Sequence, residues 1–178
     1  MTTQTSDPRY PIGKFNAQES YTNTELQQFI ERIESLPARL EAAVRGLSPE
    51  QLATPYRDGG WTVLQLLHHV PDSHANAYIR VKWTLTEETP TIKAYDEKAW
   101  ATTPETSFDP ALSIAFLKAL HAKWITLLKN IRPEDLTRKY YHPDTKKFVR
   151  LNDLMGMYAW HGDHHLAHIT TLKSQKGW

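Results

Sequence analysis

Asn152-Asp-Leu-Met-Gly-Met-Tyr-Ala-Trp-His-Gly-Asp-His-His-Leu-Ala-His-Ile-Thr-Thr-Leu-Lys173 reads as one long helix. Leu154, Tyr158, His161, His165, His168 and Leu172 recur at intervals of three and four, which traces one face of an amphipathic helix. Asn152 is placed to cap it. The stripe carries a conflict: its apolar members belong in a core, and the imidazoles among them must be desolvated to go there. His161 and His165 are four apart, so their rings lie one turn from each other on the same face, which is ligand spacing for a metal ion. His164 and His168 repeat the spacing, but His164 lies on the flank near Trp160.

Working outward, three more segments carry the helical period. Leu26, Phe29, Ile30, Ile33, Leu36, Leu40, Val44 and Leu47 mark a helix from Asn23 to Gly46, kinked or split at Pro37 and closed by the glycine. Thr62 and Gln65 form a capping box for a second helix, with Trp61 stapled onto Leu66 and the turn Asp58-Gly59-Gly60 feeding it. Its buried face is Val63, Leu66, Leu67, Val70, His74, Ala77, Tyr78, Val81 and Leu85, with Pro71 expected to kink it. Asp109-Pro110 starts a third, with Leu112, Phe116, Leu117, Leu120, Trp124, Leu127 and Leu128 on its inner stripe. Thr86 to Phe108 has no sustained period and is long for a connection, which suits a lid. Tyr140 to Arg150, with Pro143-Asp144 at its centre, predicts a small β-hairpin. The fold expected is all-α: one domain over residues 1–178, a four-helix bundle with long connections and a small hairpin before the last helix, the second and fourth helices running parallel. The similar runs Leu47-Ser-Pro-Glu-Gln-Leu52 and Ile131-Arg-Pro-Glu-Asp-Leu136 leave open whether the bundle is a duplicated helix pair or two short helices started by Pro-Glu.

Composition removes whole classes of function. The chain has no cysteine, so disulfide scaffolds, thiolate metal sites and cysteine nucleophiles are excluded. Lys+Arg 21 against Asp+Glu 20 gives a net charge of +1, too little to neutralise a nucleic-acid backbone. The opening MTTQTSDPRY lacks the basic start and apolar run of a signal peptide, and no run of 18 apolar residues occurs. A cytoplasmic protein without nucleic-acid or membrane partners is the expectation.

The nine histidines are the unusual entry in that composition, five of them between His142 and His168. A third ligand has to join His161 and His165 from another helix. His69 lies near the start of the second helix at a depth that differs from that pair by roughly 6 Å if the helices are parallel, within reach of a side chain. His68 on another face and His74 deeper on the apolar stripe are alternatives, and His121 and His142 are surface or core histidines. No histidine has Asp or Glu three residues before it, which argues against a bundle di-iron centre. Three imidazoles with one open position suit Zn, Ni or a similar divalent ion acting as a Lewis acid.

Trp61-Thr62 followed by His69, with His161 and His165 far downstream, resembles the DinB superfamily. Within it, Tyr10-Pro-Ile-Gly13, Pro55-Tyr-Arg-Asp-Gly-Gly-Trp-Thr62, Tyr95-Asp-Glu-Lys-Ala-Trp100, Tyr141-His-Pro-Asp-Thr-Lys146 and the His-rich Trp160 to Ile169 are similar to its YfiT branch. The likeness spans almost the whole chain; Leu166-Ala-His168 departs from the Arg-Gly-Gln of the wider superfamily. It implies a four-helix bundle, commonly a homodimer, with a divalent metal on His69, His161 and His165. It also implies either of two activities on a small-molecule substrate, metal-dependent hydrolysis or bacillithiol S-transfer in detoxification, with bacillithiol as co-substrate. In both, the nucleophile sits on the metal and no side chain is singled out as catalytic. A non-catalytic metal- or ligand-binding module is the reading from another class.

Overall fold

Local capping signals set the helix starts in the computed structural model, which describes residues 7–178; the polar opening Met1–Ser6 lies outside the described residues. Thr22 caps α1 (Asn23–Val44) in a box with Glu25, and the helix runs through Pro37 without a break until Gly46, at φ +78°, ends it. Ser48 caps a single turn, α2 (Pro49–Leu52). The Thr62 box is made as read: the Thr62 amide donates to Gln65 Oε1 at 3.0 Å and the Gln65 amide to Thr62 Oγ1 at 3.1 Å. It opens α3 (Val63–Thr86), which also passes through its proline, Pro71. The segment after it holds a short α4 (Glu97–Trp100) and a 3₁₀ turn at Pro104–Ser107, then α5 (Ala111–Leu128). Strands β1 (Lys139–His142) and β2 (Lys147–Arg150) pair antiparallel, Lys139 opposite Arg150, and lead into α6 (Leu151–Lys176). The expected bundle and hairpin are therefore present, and both Pro-Glu runs lie in short helical turns, at Pro49–Leu52 and Pro133–Thr137.

Two boundary expectations are corrected. The last helix starts at Leu151 behind Arg150, because the strand β2 delivers the chain directly into it; Asn152 is inside the first turn and buried. On α5 the buried face is Leu117, Leu120, His121, Trp124, Ile125 and Leu128, whereas Leu112 is 82% and Phe116 47% exposed. An almost wholly apolar helix has no sharp period, so the side facing the bundle is chosen by its neighbours.

The helix directions also differ from expectation. Lys173 Nζ donates to the Ala43 carbonyl and Arg32 pairs with Asp163, so residue numbers rise together and α1 and α6 are parallel. On α3 and α6 they run oppositely: Ala77 and Val81 share a core with Leu151 and Leu154, and Val63 and Leu66 share one with Ile169 and Leu172. The second and fourth long helices are thus antiparallel, because the hairpin returns the chain to the same end at which α3 finished, with Arg138 Nε donating to the Thr84 carbonyl at 2.8 Å. Close approach of α1 and α6 depends on glycine. A Cβ at Gly156 would meet the Phe29 ring at 3.0 Å, and one at Gly162 would collide with the Leu36 side chain. Asp163 locks that register by pairing with both Arg32 and Arg39, each at 2.7 Å.

Two apolar clusters fill the bundle, one around Ile33, Trp124, Tyr140 and Leu154, the other around Leu40, Leu66, Leu117 and Ile169. Between them lies a polar layer in which His69, His74, His121 and His165 are all buried.

Candidate metal centre

His69 sits two turns into α3 and His161 and His165 flank the middle of α6, so the antiparallel crossing brings all three to one level. His161 Nε2 is 3.2 Å from His69 Nε2 and 3.2 Å from His165 Nε2. A tetrahedral centre with metal–nitrogen bonds of 2.0–2.1 Å separates its ligand nitrogens by about 3.3 Å. The structure brings together the three residues that the sequence singled out, but across an antiparallel crossing of α3 and α6 and not the parallel one on which their depths were matched.

Proton positions show why this cluster fits a cation. His121 Nδ1 lies 2.7 Å from the Ile33 carbonyl, which only accepts, so that nitrogen carries the proton. In a neutral ring His121 Nε2 is then an acceptor, and His74 Nδ1, 2.9 Å away, must donate to it. His74 Nε2 is left as acceptor for His161 Nδ1–H at 3.2 Å. His161 Nε2 therefore presents a bare lone pair to the centre. One lone pair cannot satisfy two neighbouring imidazoles, whereas a divalent ion accepts a lone pair from each of the three rings. The chain Ile33, His121, His74, His161 is the hydrogen-bonded support that ligating histidines characteristically have.

Protonation is suppressed throughout. Burial pushes His69 and His121 down to about 4 and holds His74, His161 and His165 well below the ordinary imidazole value, with neighbouring histidines adding to it for His74, His161 and His165. Neutral imidazole is the form that binds metal. No carboxylate belongs to either ligand group found among the described residues: His69, His161, His165 and a second group, His164, His165, His168.

Aromatic rings wall the centre. The loop before α3 returns through a Tyr56 amide bond to the Trp61 carbonyl and sets the Trp61 ring 4.6 Å from that of His69. Tyr56 stacks on His168 at 3.9 Å and Trp160 on His164 at 4.5 Å. Of the alternatives, His68 points toward α5, with Nδ1 2.8 Å from Ser113 Oγ, so it is not a ligand. His74 lies behind His161 as support, and His142 lies in the hairpin. The supporting role of His74 and His121 escaped sequence reading. The available signal was one histidine within the apolar stripe of α3, but its partner lies 47 residues away.

Residues 32–169 match the sequence model of the DinB superfamily. The chain is 47% identical over 170 residues to a Bacillus subtilis protein named "Putative metal-dependent hydrolase YfiT", covering 95% of this chain and 96% of that one. A similarly named protein of Bacillus cereus is 46% identical over 173 residues, covering 97% and 99%. Among solved structures, that of YfiT from Bacillus subtilis, described as having an unusual four-helix bundle topology, superposes with a TM-score of 0.94 over 96% of this chain and 98% of that one, at 46% identity.

Proposed function

This chain belongs to the DinB superfamily, and on that basis we propose that it is a metal-dependent enzyme whose His69, His161 and His165 centre activates a low-molecular-weight thiol of the bacillithiol type for transfer to an electrophilic small molecule. The observation that carries this reading is the donor set, three buried neutral nitrogens with no carboxylate among them. A divalent ion such as Zn or Ni held by neutral ligands supplies Lewis acidity and lowers the pKa of an acid at its open position.

The chain's own residues favour a thiol in that position. A thiol begins near pKa ~8.5 and needs little help to be anionic at neutral pH, whereas water begins far higher and gains from a neighbouring group that takes its proton. The nearest free imidazole is His164, in edge contact with the His165 ring at 5.0 Å, and burial holds it down at about 4, so it is a weak base at pH 7. The Trp61 ring lies against His69, and an apolar wall of this kind suits a polarisable sulfur nucleophile. In the transfer the thiolate sulfur forms a C–S bond as the electrophile's bond to its leaving atom breaks, that atom taking the electron pair; with an epoxide the oxygen then takes up a proton.

Hydrolysis is the second reading, supported by the names of the relatives and by the same three ligands. The near-neutral charge fits a small-molecule substrate in the cytoplasm rather than nucleic acid or a membrane surface, and a homodimer belongs to the same proposal. Metal-loaded protein incubated with bacillithiol and a panel of epoxides and activated aryl halides should give the S-conjugate, and His69→Ala should not. Equal turnover of the panel without thiol would replace transfer by hydrolysis.

A further inference from the structure

His164 and His168 are the second pair at ligand spacing on α6, and the His69, His161 and His165 centre leaves both unused. Their rings are buried, as is that of His165 between them. His164 Nδ1, His165 Nδ1 and both nitrogens of His168 have no hydrogen-bond partner among the described residues. The Pro8 and Arg9 carbonyls act on His168 without closing a hydrogen bond to it. A buried polar atom in this condition has lost its hydration without replacing it, so four of them on three neighbouring rings call for a ligand.

The three rings are spaced much as in the first centre. Their centroids are 4.3 Å apart for His164 and His168, 5.0 Å for His164 and His165, and 5.5 Å for His165 and His168. The corresponding distances among His69, His161 and His165 are 4.5, 4.9 and 5.3 Å. One nitrogen from each ring of the second group lies within 4.8 Å of the others. Two ligands bonded at 2.0–2.1 Å are at most about 4.2 Å apart, so these rings must turn inward to close on an ion. No hydrogen bond of the four nitrogens opposes the turn, but it loosens the stacking of His164 on Trp160 and of His168 on Tyr56. The Arg57 charge also acts on His168 and repels a cation there. This second group is therefore the weaker of the two.

His165 belongs to both groups, and a neutral imidazole carries one lone pair. With its proton on Nδ1, His165 serves the first centre through Nε2, which lies 3.2 Å from His161 Nε2. With its proton on Nε2, the lone pair moves to Nδ1, the nitrogen that lacks a partner. Two divalent ions held at once would have only neutral ligands to offset their repulsion, which is large between buried charges so close together. The two groups therefore compete for one ion.

We propose that His164, His165 and His168 form a second, weaker site for a divalent cation, which exchanges with the His69, His161 and His165 centre through the two tautomers of His165. The proposal rests on His165 as a ligand of the first centre and is independent of whether the nucleophile is a thiol or water. Titration of the metal-free protein with Zn²⁺ against a chromophoric chelator tests it. The native chain should take up one Zn²⁺, and uptake of two overturns the exchange. His69→Ala should still take up one, with affinity about tenfold or more weaker, and adding His168→Phe should weaken it about tenfold or more again. His168→Phe keeps a ring against Tyr56, and by itself it should leave the native affinity unchanged. Zn²⁺ affinity in His69→Ala that is indifferent to His168→Phe overturns the proposal, as does complete loss of binding in His69→Ala. If the double variant does not fold, the histidine ring NMR signals of His69→Ala decide: those of His164 and His168 should shift on adding Zn²⁺, and shifts confined to His161 and His165 overturn the second site. Failure of the first centre reads differently. Native affinity in His69→Ala would remove that centre, while a loss on adding His168→Phe would leave the second site standing.

Discussion

His161 engages both of its nitrogens, Nε2 toward His69 and His165 and Nδ1 toward His74. Two expectations follow at the scale of single residues. Replacing His161 or His165 with Ala should remove most bound metal, read by elemental analysis of purified protein, while His164→Ala should retain it because that ring is outside the central triad; near-full occupancy in His161→Ala would sink the ligand assignment. His74→Phe fills the same space but removes the acceptor that holds the His161 proton on Nδ1. Metal affinity in competition with a chelator should then fall by about 10- to 100-fold, the usual effect of losing such a support. An unchanged affinity would show that the tautomer is set without the His121–His74 chain.

At the scale of elements, the decisive contact is α1 against α6, which fixes how far the ligand helix can approach the bundle. Gly162 lies directly beside His161 in sequence and against the Leu36 side chain in space. Gly162→Ala improves helix propensity but places a methyl group where Leu36 already is. Overpacking of this kind destabilises by about 1–3 kcal/mol, more than the ~1 kcal/mol gained from propensity. Denaturant midpoints should therefore shift downward, and a stabilised variant would mean that α1 yields without strain.

For the whole molecule, the histidine layer between the two apolar clusters makes stability depend on acidity. His121 titrates at about 4 in the fold because it is buried, and near 6.5 when the chain is unfolded. The unfolded chain thus binds the proton first, so stability is full above about pH 6.5 and falls as the pH drops toward 4. With metal removed by a chelator, unfolding free energy measured across this window should decline, and His121→Leu should flatten the decline by up to about 1.4 kcal/mol per pH unit. An identical slope in the variant would mean that His121 is already protonated in the fold.

Much of this was legible in the chain before any coordinates. Thr62, Gln65 and Gly46 mark helix ends because capping is a local matter of a few hydrogen bonds, and the spacing of His161 and His165 is fixed once α6 is helical. Cysteine absence restricts the ligands to nitrogen and oxygen without reference to any fold. What the tertiary structure alone decided was of longer range. Helix direction depends on where the hairpin returns the chain, and no periodicity encodes that. The inner side of α5 was decided by packing, since Leu112 and Phe116 are as apolar as the residues that are buried. His74 and His121 became the support of a ligand only through partners dozens of residues away. Short-range hydrogen bonds and side-chain period are written in consecutive residues, whereas desolvation and proton placement belong to neighbourhoods that exist only after the helices have packed.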